Sequence, residues 1–341
     1  MSITPEKKEA LNILLKSYEK SYGKGTIQTL SGDEVTSIER SSSGIASIDA
    51  ALGGGYAKGR IHELYGPESS GKTTLLIEAL IQVQKDGGIG AFIDAEQSLD
   101  LEYAQGLGLD IDSLIFAQPE SAEQALNIAT SLVESGLVDM IVIDSVAALT
   151  PQKELDGEIG DSTVGLLARL MGQSMRKIKS SARKNNVVVI FINQIRMKIG
   201  VMFGSPETTP GGKALQYFAS IRMDIRRTGT KKVGEESVAN ETKITIKKNK
   251  TAPPFRTATF EIEFGTGINK TLDLLRLAVS KGIVEKSGAW YSYEGERISQ
   301  GERNACSYLN ENDQAKEVIL ARLKTPLLEG TNGISTRDDD V

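Results

Sequence analysis

The sequence is poor in the residues that build redox and metal chemistry. One cysteine, Cys306, and one histidine, His62, serve 341 residues. A lone cysteine excludes an internal disulfide and any multi-cysteine metal site, and it suits a reducing compartment. A lone histidine argues against His-based metal clusters and a Ser-His-Asp triad within one chain. No window approaches the roughly 18 apolar residues needed to span a bilayer. The opening MSITPEKKEALNILLKS is charged too early to be a signal peptide. The expectation is a cytoplasmic protein with no membrane partner.

What is present describes a turn-rich globular chain: 34 glycines, 39% hydrophobic and 25% charged residues. The length suits one large domain plus a smaller one. A formal charge of −5 argues against nonspecific nucleic-acid binding, unless the basic residues gather on one surface.

Thr4-Pro5 reads as an N-cap followed by a first helical residue. Leu11, Leu14, Leu15, Tyr18 and Tyr22 follow at helical spacing and stop at Gly23, with TIQTL as a short strand candidate. From Arg60 onward, RIHELY, GAFIDAE, SLIFAQ, DMIVIDS and VVVIFINQ alternate with helical segments, which implies an α/β domain with a largely parallel sheet. After residue 220, SIRMDIRR, ETKITIKKN and TATFEIEF lie close together without helices. They predict antiparallel strands extending the sheet, with KTAPPF as a turn. Helical segments resume beyond Asn269 around GAWYSYEGERIS, as a small C-terminal α/β domain. STRDDDV reads as an acidic, disordered tail.

Residues 66–73, GPESSGKT, form a complete phosphate-loop pattern between a strand and a helix. Its glycines let backbone N–H groups wrap a phosphate, with the helix N-terminus adding positive potential. Lys72 is placed for the outer phosphates and Thr73 for Mg²⁺. Asp144 ends a run of β-formers, where a Mg²⁺ carboxylate or a simple turn cap belongs. Asp94 and Glu96 follow another strand, and ligands of open α/β sheets bind beyond the strands' carboxyl ends. Glu96 there either orients a water or merely starts a helix.

Residues 195–212 leave the core strand at Gln194 as a long segment, both greasy and basic, with neither helical nor strand period. Loops of this length are uncommon in compact domains and are usually functional or disordered. Arg196 and Lys198 suit phosphodiesters, Met197, Ile199 and Phe203 suit wedging between bases, and Gly211 and Gly212 admit a phosphate. On these residues alone, a nucleic-acid loop and an active-site lid fit equally. A helical wheel through 164–184 places Arg169, Arg176, Lys179 and Arg183 within about 80° of one another. Leu167, Leu170, Met171, Ser174 and Ile178 face the opposite way, toward a core. The stripe is either a solvated face or a track for a phosphate backbone.

GPESSGKTT, FIDAE, DMIVIDSVAALTP, GEIGD and NQIRMKIGVMFG with PETT and GG resemble the RecA family of strand-exchange ATPases. The resemblance runs from the N-terminal helix through GAWYSYEGERISQG. It implies a core over 34–268 with DNA-binding loops at about 157–164 and 195–212. An N-terminal polymerisation arm over 1–33, a C-terminal domain over 269–328 and a tail over 329–341 complete the division. It also implies an ATP- and Mg²⁺-dependent recombinase. Such a protein forms a helical homopolymer on single-stranded DNA, exchanges strands with a homologous duplex and promotes self-cleavage of an SOS repressor, with loading or mediator proteins as partners.

Carried over by position, Gly66, Pro67, Glu68, Ser69, Ser70, Gly71, Lys72, Thr73 and Thr74 match the phosphate loop. Thr73 and Asp144 match the Mg²⁺ ligands, and Asp100, Tyr103 and Gly265 the adenine side. Glu96 matches the catalytic carboxylate, Gln194 the γ-phosphate sensor, and Lys248 and Lys250 lysines that reach a neighbour's ATP. Arg169, Arg176, Arg196, Met197, Lys198, Ile199, Gly200, Thr209, Gly211 and Gly212 match DNA contacts, with Arg226 and Arg227 in a secondary DNA site. Gln97, Phe264, Gln216, Lys213 and Pro210 depart from the family pattern, and the acidic tail is short. Outside the family, the residues leave a small-molecule kinase or an ATP-gated DNA scaffold as alternatives. One cysteine cannot build the finger of a zinc-bearing repair relative.

Overall fold

The computed structural model describes residues 4–23, 27, 38–158, 165–198, 200, 204 and 206–329. TIQTL other than Ile27, residues 159–164, Ile199, Phe203 and the acidic end after 329 lie outside the described residues. The chain divides into two units, Met1–Ile38 and Glu39–Val341. In the first, a helix spans Pro5–Tyr22 with Thr4 at its N-cap in extended backbone, without a side-chain cap bond. The helix has no buried residue; Leu11, Leu14, Tyr18 and Tyr22 are exposed, and the two tyrosine rings stack at 5.8 Å.

The second unit is organised by a nine-stranded sheet. Its strands are β1 (Ile61–Gly66), β2 (Gly90–Asp94), β3 (Ile115–Ala117), β4 (Met140–Asp144), β5 (Val188–Gln194), β6 (Ile221–Val233), β7 (Glu236–Asn249), β8 (Thr257–Glu263) and β9 (Gly267–Ile268). Their spatial order is β9-β8-β7-β6-β1-β5-β4-β2-β3. The six from β6 to β3 run parallel, and β7, β8 and β9 extend them antiparallel. Successive residues of β5 serve opposite faces, as strand geometry requires. Val188, Ile190 and Ile192 join the cluster containing the Lys72–Lys85 helix, whereas Val189 and Phe191 join that of helices Ala122–Ser135 and Leu166–Asn185. Burial on both faces explains the nearly continuous apolar runs of the parallel strands.

Two expectations need refinement. SIRMDIRR belongs to β6, which is parallel to β1 and antiparallel only to β7. Strands β6 and β7 also run on through TGTKKVGEES as a long hairpin whose outer half is charged and largely exposed. No buried face imposes a readable period there. In the C-terminal region, GAWYSYEGERIS itself forms strands Trp290–Tyr293 and Glu296–Gln300, which pair with each other, and Trp290–Tyr293 pairs on its other side with Val284–Ser287. The helices Lys270–Ser280, Glu302–Glu311 and Asp313–Glu329 flank them. Arg276 ties this region to the core, reaching Glu261 at 2.9 Å and Glu302 at 2.9 Å.

His62 is fully buried on β1, edge-on to Tyr56 with ring centres 5.5 Å apart. Its Nε2 lies 3.0 Å from the Ala57 carbonyl, which can only accept, so Nε2 carries the proton. Burial lowers its pKa to about 4, with Arg40 and Arg60 adding to the effect and the Ala57 bond opposing it. An unfolded chain would take up that proton first, so this group's stabilisation is lost as pH falls from 6.5 toward 4. Its contribution to that loss is about 2 kcal/mol between pH 7 and pH 5. Because His62 is the chain's only histidine, one imidazole signal decides the matter. NMR should show the neutral Nε2–H tautomer unchanged from pH 8 to pH 5; a midpoint near 6.5 would contradict the burial argument.

Candidate functional site

Strands β1, β2, β4 and β5 are mutually parallel and finish on one edge, with Gly66 opposite Gln194 and Asp94 opposite Asp144. The phosphate-loop residues lie directly beyond β1. Gly71 sits in left-handed backbone (φ +86°), and a Cβ there would come within 2.2 Å of Ile262 Cδ1. Pro67, Glu68 and Ser69 are exposed, while Ser70 is buried and donates to the Pro67 carbonyl at 2.8 Å. Lys72 folds back onto the same loop, donating to Pro67 O at 2.7 Å and Gly66 O at 3.4 Å. Burial lowers its pKa, against the pull of Asp144, Glu96 and Glu68. Thr74 is half-buried within the first turn of the helix.

Thr73 Oγ1 donates to Asp144 Oδ2 at 2.9 Å. Burial raises the Asp144 pKa to about 6; Glu96 and Asp94 add to the effect, and Thr73 and Lys72 oppose it. The Asp144 carbonyl accepts from the Ala95 and Glu96 amides at 2.7 and 3.1 Å, which fixes the turn carrying Glu96. Asp94 steadies that turn from beneath, accepting from Ser98 N, Leu99 N and Gln118 Nε2. Glu96 accepts from Ser145 Oγ at 2.9 Å and from Gln194 Nε2 at 3.4 Å. Lys72, Thr73, Asp144, Glu96 and Gln194 therefore form one contiguous group. A hydroxyl and a carboxylate in contact are the hard oxygen donors that Mg²⁺ takes, and the ammonium needs only to leave its own loop carbonyls to meet a phosphate. The residues fit Mg²⁺–ATP.

Other predicted positions have structural work of their own. Asp100 caps the helix Leu101–Gly106 by accepting from Tyr103 N at 2.9 Å. Tyr103 packs against the core with Leu99 and Leu107. Gly265 has a positive φ of 80° in the turn between β8 and β9, with open space around it. Lys248 donates to the carbonyls of Gln216 and Tyr217 at 2.7 and 3.2 Å, and Lys250 is exposed. Among the described residues neither lysine bonds to Glu96, Asp144 or the phosphate loop of its own chain.

Arg169, Arg176, Lys179 and Arg183 all lie on the exposed side of the helix Leu166–Asn185. Lys179 stands 5.7 Å over the Phe218 ring. The opposite face buries Met171, Met175, Ile178 and Ala182; of the five residues the wheel turned toward the core, Met171 and Ile178 are buried, while Leu167, Leu170 and Ser174 are half-buried. The 195–212 segment is more ordered at its base than expected. Arg196–Met197 pairs antiparallel with Glu207–Thr208, and Lys198 N donates to Pro206 O at 2.9 Å. A two-residue ladder is too short to leave a period in the sequence.

Arg196, Met197, Lys198 and Gly200 are exposed. Thr209 is buried, and its hydroxyl accepts from Gln216 Nε2 at 3.1 Å. Gly211 and Gly212 both have positive φ, and a Cβ would meet Val146 Cγ1 at 2.7 Å or Ala168 Cβ at 2.8 Å. Packing within the chain already requires glycine at both positions. Arg227 is exposed, but Arg226 is clasped by Glu207 at 2.9 and 2.6 Å and by Asp224 at 2.7 Å. Sequence reasoning missed Ser145, Gln118, Asn193, Glu207 and Glu63. Only Glu63 leaves a signal, as a carboxylate inside a strand that is otherwise uncharged.

The RecA N-terminal domain model matches residues 9–269, and the RecA C-terminal domain model matches residues 272–327. The RecA protein of Acinetobacter baumannii (strain ATCC 17978) is 54% identical over 336 residues, covering 98% of this chain and 96% of that protein. That of Acinetobacter baylyi is 53% identical with the same coverage. That of Staphylococcus epidermidis (strain RP62A) is 52% identical over 338 residues, covering 98% and 97%. The crystal structure of the RadB recombinase superposes with a TM-score of 0.51 at 23% identity, over 67% of this chain and 98% of that one, and shares the fold. Matched through both domains and over nearly its whole length, the chain belongs to the RecA family of recombinases, which are DNA-dependent ATPases.

Proposed function

We propose that this chain assembles as a helical filament on single-stranded DNA, pairs that strand with a homologous duplex and exchanges strands, with ATP hydrolysis driving filament turnover. The observation that carries the reading is the contact of Gln194 with Glu96. It joins the hydrolytic carboxylate to the strand-end residue from which the basic, apolar segment departs. In this reading Lys72, Thr73 and Asp144 hold the nucleotide and its Mg²⁺. A metal held there would neutralise charge building on the phosphate oxygens. Glu96 orients a water toward the γ-phosphorus and accepts its proton, with Ser145 fixing the carboxylate.

Gln194 reports the γ-phosphate to Arg196, Met197 and Lys198, which with Ile199 and Gly200 grip the strand. Arg169 and Arg176 track its phosphates, and Arg226 and Arg227 contact the second DNA. Asp100, Tyr103 and Gly265 border the adenine. Lys248 and Lys250, which among the described residues make no bond to the nucleotide edge of their own chain, reach the ATP of a neighbouring copy, which makes hydrolysis depend on assembly. The N-terminal helix buries none of its residues and leaves Leu11, Leu14, Tyr18 and Tyr22 exposed; since helices in proteins owe most of their stability to packing of an apolar face, this row suits docking on that neighbour. Residues 1–33, 34–268, 269–328 and 329–341 then act as arm, core, C-terminal domain and tail. A cytoplasmic location, a co-protease role toward an SOS repressor and loading or mediator partners come with the family.

The deciding experiment is ATP turnover with and without single-stranded DNA at several protein concentrations. Turnover should rise with DNA and climb more steeply than protein concentration; turnover indifferent to both would indicate a small-molecule kinase. Glu96→Gln should still bind ATP and DNA while hydrolysis falls by about 10²-fold or more, and undiminished turnover would remove Glu96 from the chemistry. Arg176→Ala should weaken binding of all strand sequences alike and lower the salt slope by about 0.7. An unchanged slope would return the stripe to an ordinary solvated face.

A further inference from the structure

Three polar side chains cross an otherwise apolar stretch of the sheet on adjacent strands. Glu63 on β1 is fully buried and accepts from Arg222 Nε on β6 at 2.5 Å. Its other oxygen accepts from Asn193 Nδ2 on β5 at 3.1 Å. Arg222 stands opposite Glu63 in the strand register, with its guanidinium 4.8 Å from the Tyr65 ring centre. Asn193 is also fully buried and bonds twice more. Its Nδ2 donates to Pro210 O at 3.2 Å, and its Oδ1 accepts from Gln194 N at 3.0 Å.

One amide therefore holds both ends of the 195–209 segment: the residue that enters it and the residue that leaves it. A buried ion pair is a poor way to gain stability, since apolar residues of like volume do as well or better. What the carboxylate supplies here is direction. With Arg222 fixing one oxygen, the other can only point at Asn193, and the amide is locked with its faces toward Gln194 and Pro210.

We propose that Glu63 is a positioning residue that, through Asn193, staples the base of the 195–209 segment to the phosphate-loop strand. A displacement of Gln194 at the nucleotide then moves both ends of the DNA-facing segment together. The inference rests on the function proposed above and names how that site is regulated. Glu63 and Asn193 touch neither nucleotide nor DNA in this scheme.

The test compares the affinity of a single-stranded oligonucleotide for the full chain with a slowly hydrolysed ATP analogue and with ADP. Glu63→Gln presents one oxygen where two are needed, so an amide N–H faces either Arg222 or Asn193. Asn193→Ala removes the staple and leaves the Glu63–Arg222 pair intact, which covers the case in which Glu63→Gln does not fold. In a folded variant the ATP-to-ADP affinity ratio should fall by about tenfold, the worth of one buried hydrogen bond to a charged group. Nucleotide affinity without DNA should stay unchanged. A merely structural role would lower the melting temperature and leave the ratio alone; a wild-type ratio in either folded variant overturns the staple.

Hydrogen exchange on the unmodified chain gives a second reading. Peptides ending at Gln194 and peptides containing Pro210 should change protection together when ADP is replaced by the analogue, and independent changes overturn the proposal. An unmodified chain whose DNA affinity ignores the nucleotide would instead sink the functional reading beneath it.

Discussion

Asp144 joins the two halves of the nucleotide edge. Its side chain accepts from Thr73 at the head of the phosphate-loop helix, and its main-chain carbonyl holds the amides of Ala95 and Glu96. A single strand end thus sets the distance between the residues that would bind phosphate and the carboxylate that would direct water. This works because β1, β2, β4 and β5 are parallel and adjacent, so their last residues arrive at one edge. The cost is a carboxylate buried enough to hold its proton up to about pH 6. A cation beside it would offset that cost, which is consistent with the Mg²⁺ role proposed for this carboxylate.

Much of this edge was legible in the residues because each part obeys a local rule. The parallel strands are buried on both faces and read as apolar runs, and the phosphate loop has a fixed spacing set by backbone geometry. Asp94, Asp144 and Gln194 are polar residues ending apolar runs, so their positions followed from the strands. The features that escaped are those in which no apolar period is imposed. The outer half of the β6–β7 hairpin is exposed, and the ladder of Arg196–Met197 with Glu207–Thr208 spans two residues. Long-range partnerships such as Glu63 with Arg222, 159 positions apart, leave only one half of their signal at each site.

The glycines show where residue type and role come apart. Gly211 and Gly212 resemble ligand-approach positions, yet Val146 and Ala168 already occupy the space a side chain would need. Two constraints act on these positions, and close packing alone accounts for the residue type. Thr209 is similar: it is buried, and its hydroxyl accepts from Gln216. Contact with DNA at 209–212 would therefore use main-chain groups or follow a rearrangement, whereas Arg196, Met197 and Lys198 are exposed as they stand.

The charge pattern resolves how a chain of net charge −5 can take a polyanion. Arg169, Arg176 and Arg183 form an exposed stripe with no ion pair among the described residues. Arg226 is different, since Glu207 and Asp224 already hold it. A phosphate meeting the stripe displaces only water and counterions, while one meeting Arg226 competes with two carboxylates. Half-exposed pairs of this kind are individually weak, so exchange is feasible, but it has to follow a shift of the ribbon that carries Glu207. On the proposed reading, the first strand is therefore bound by cations already free, and the second DNA by a cation released when that ribbon moves.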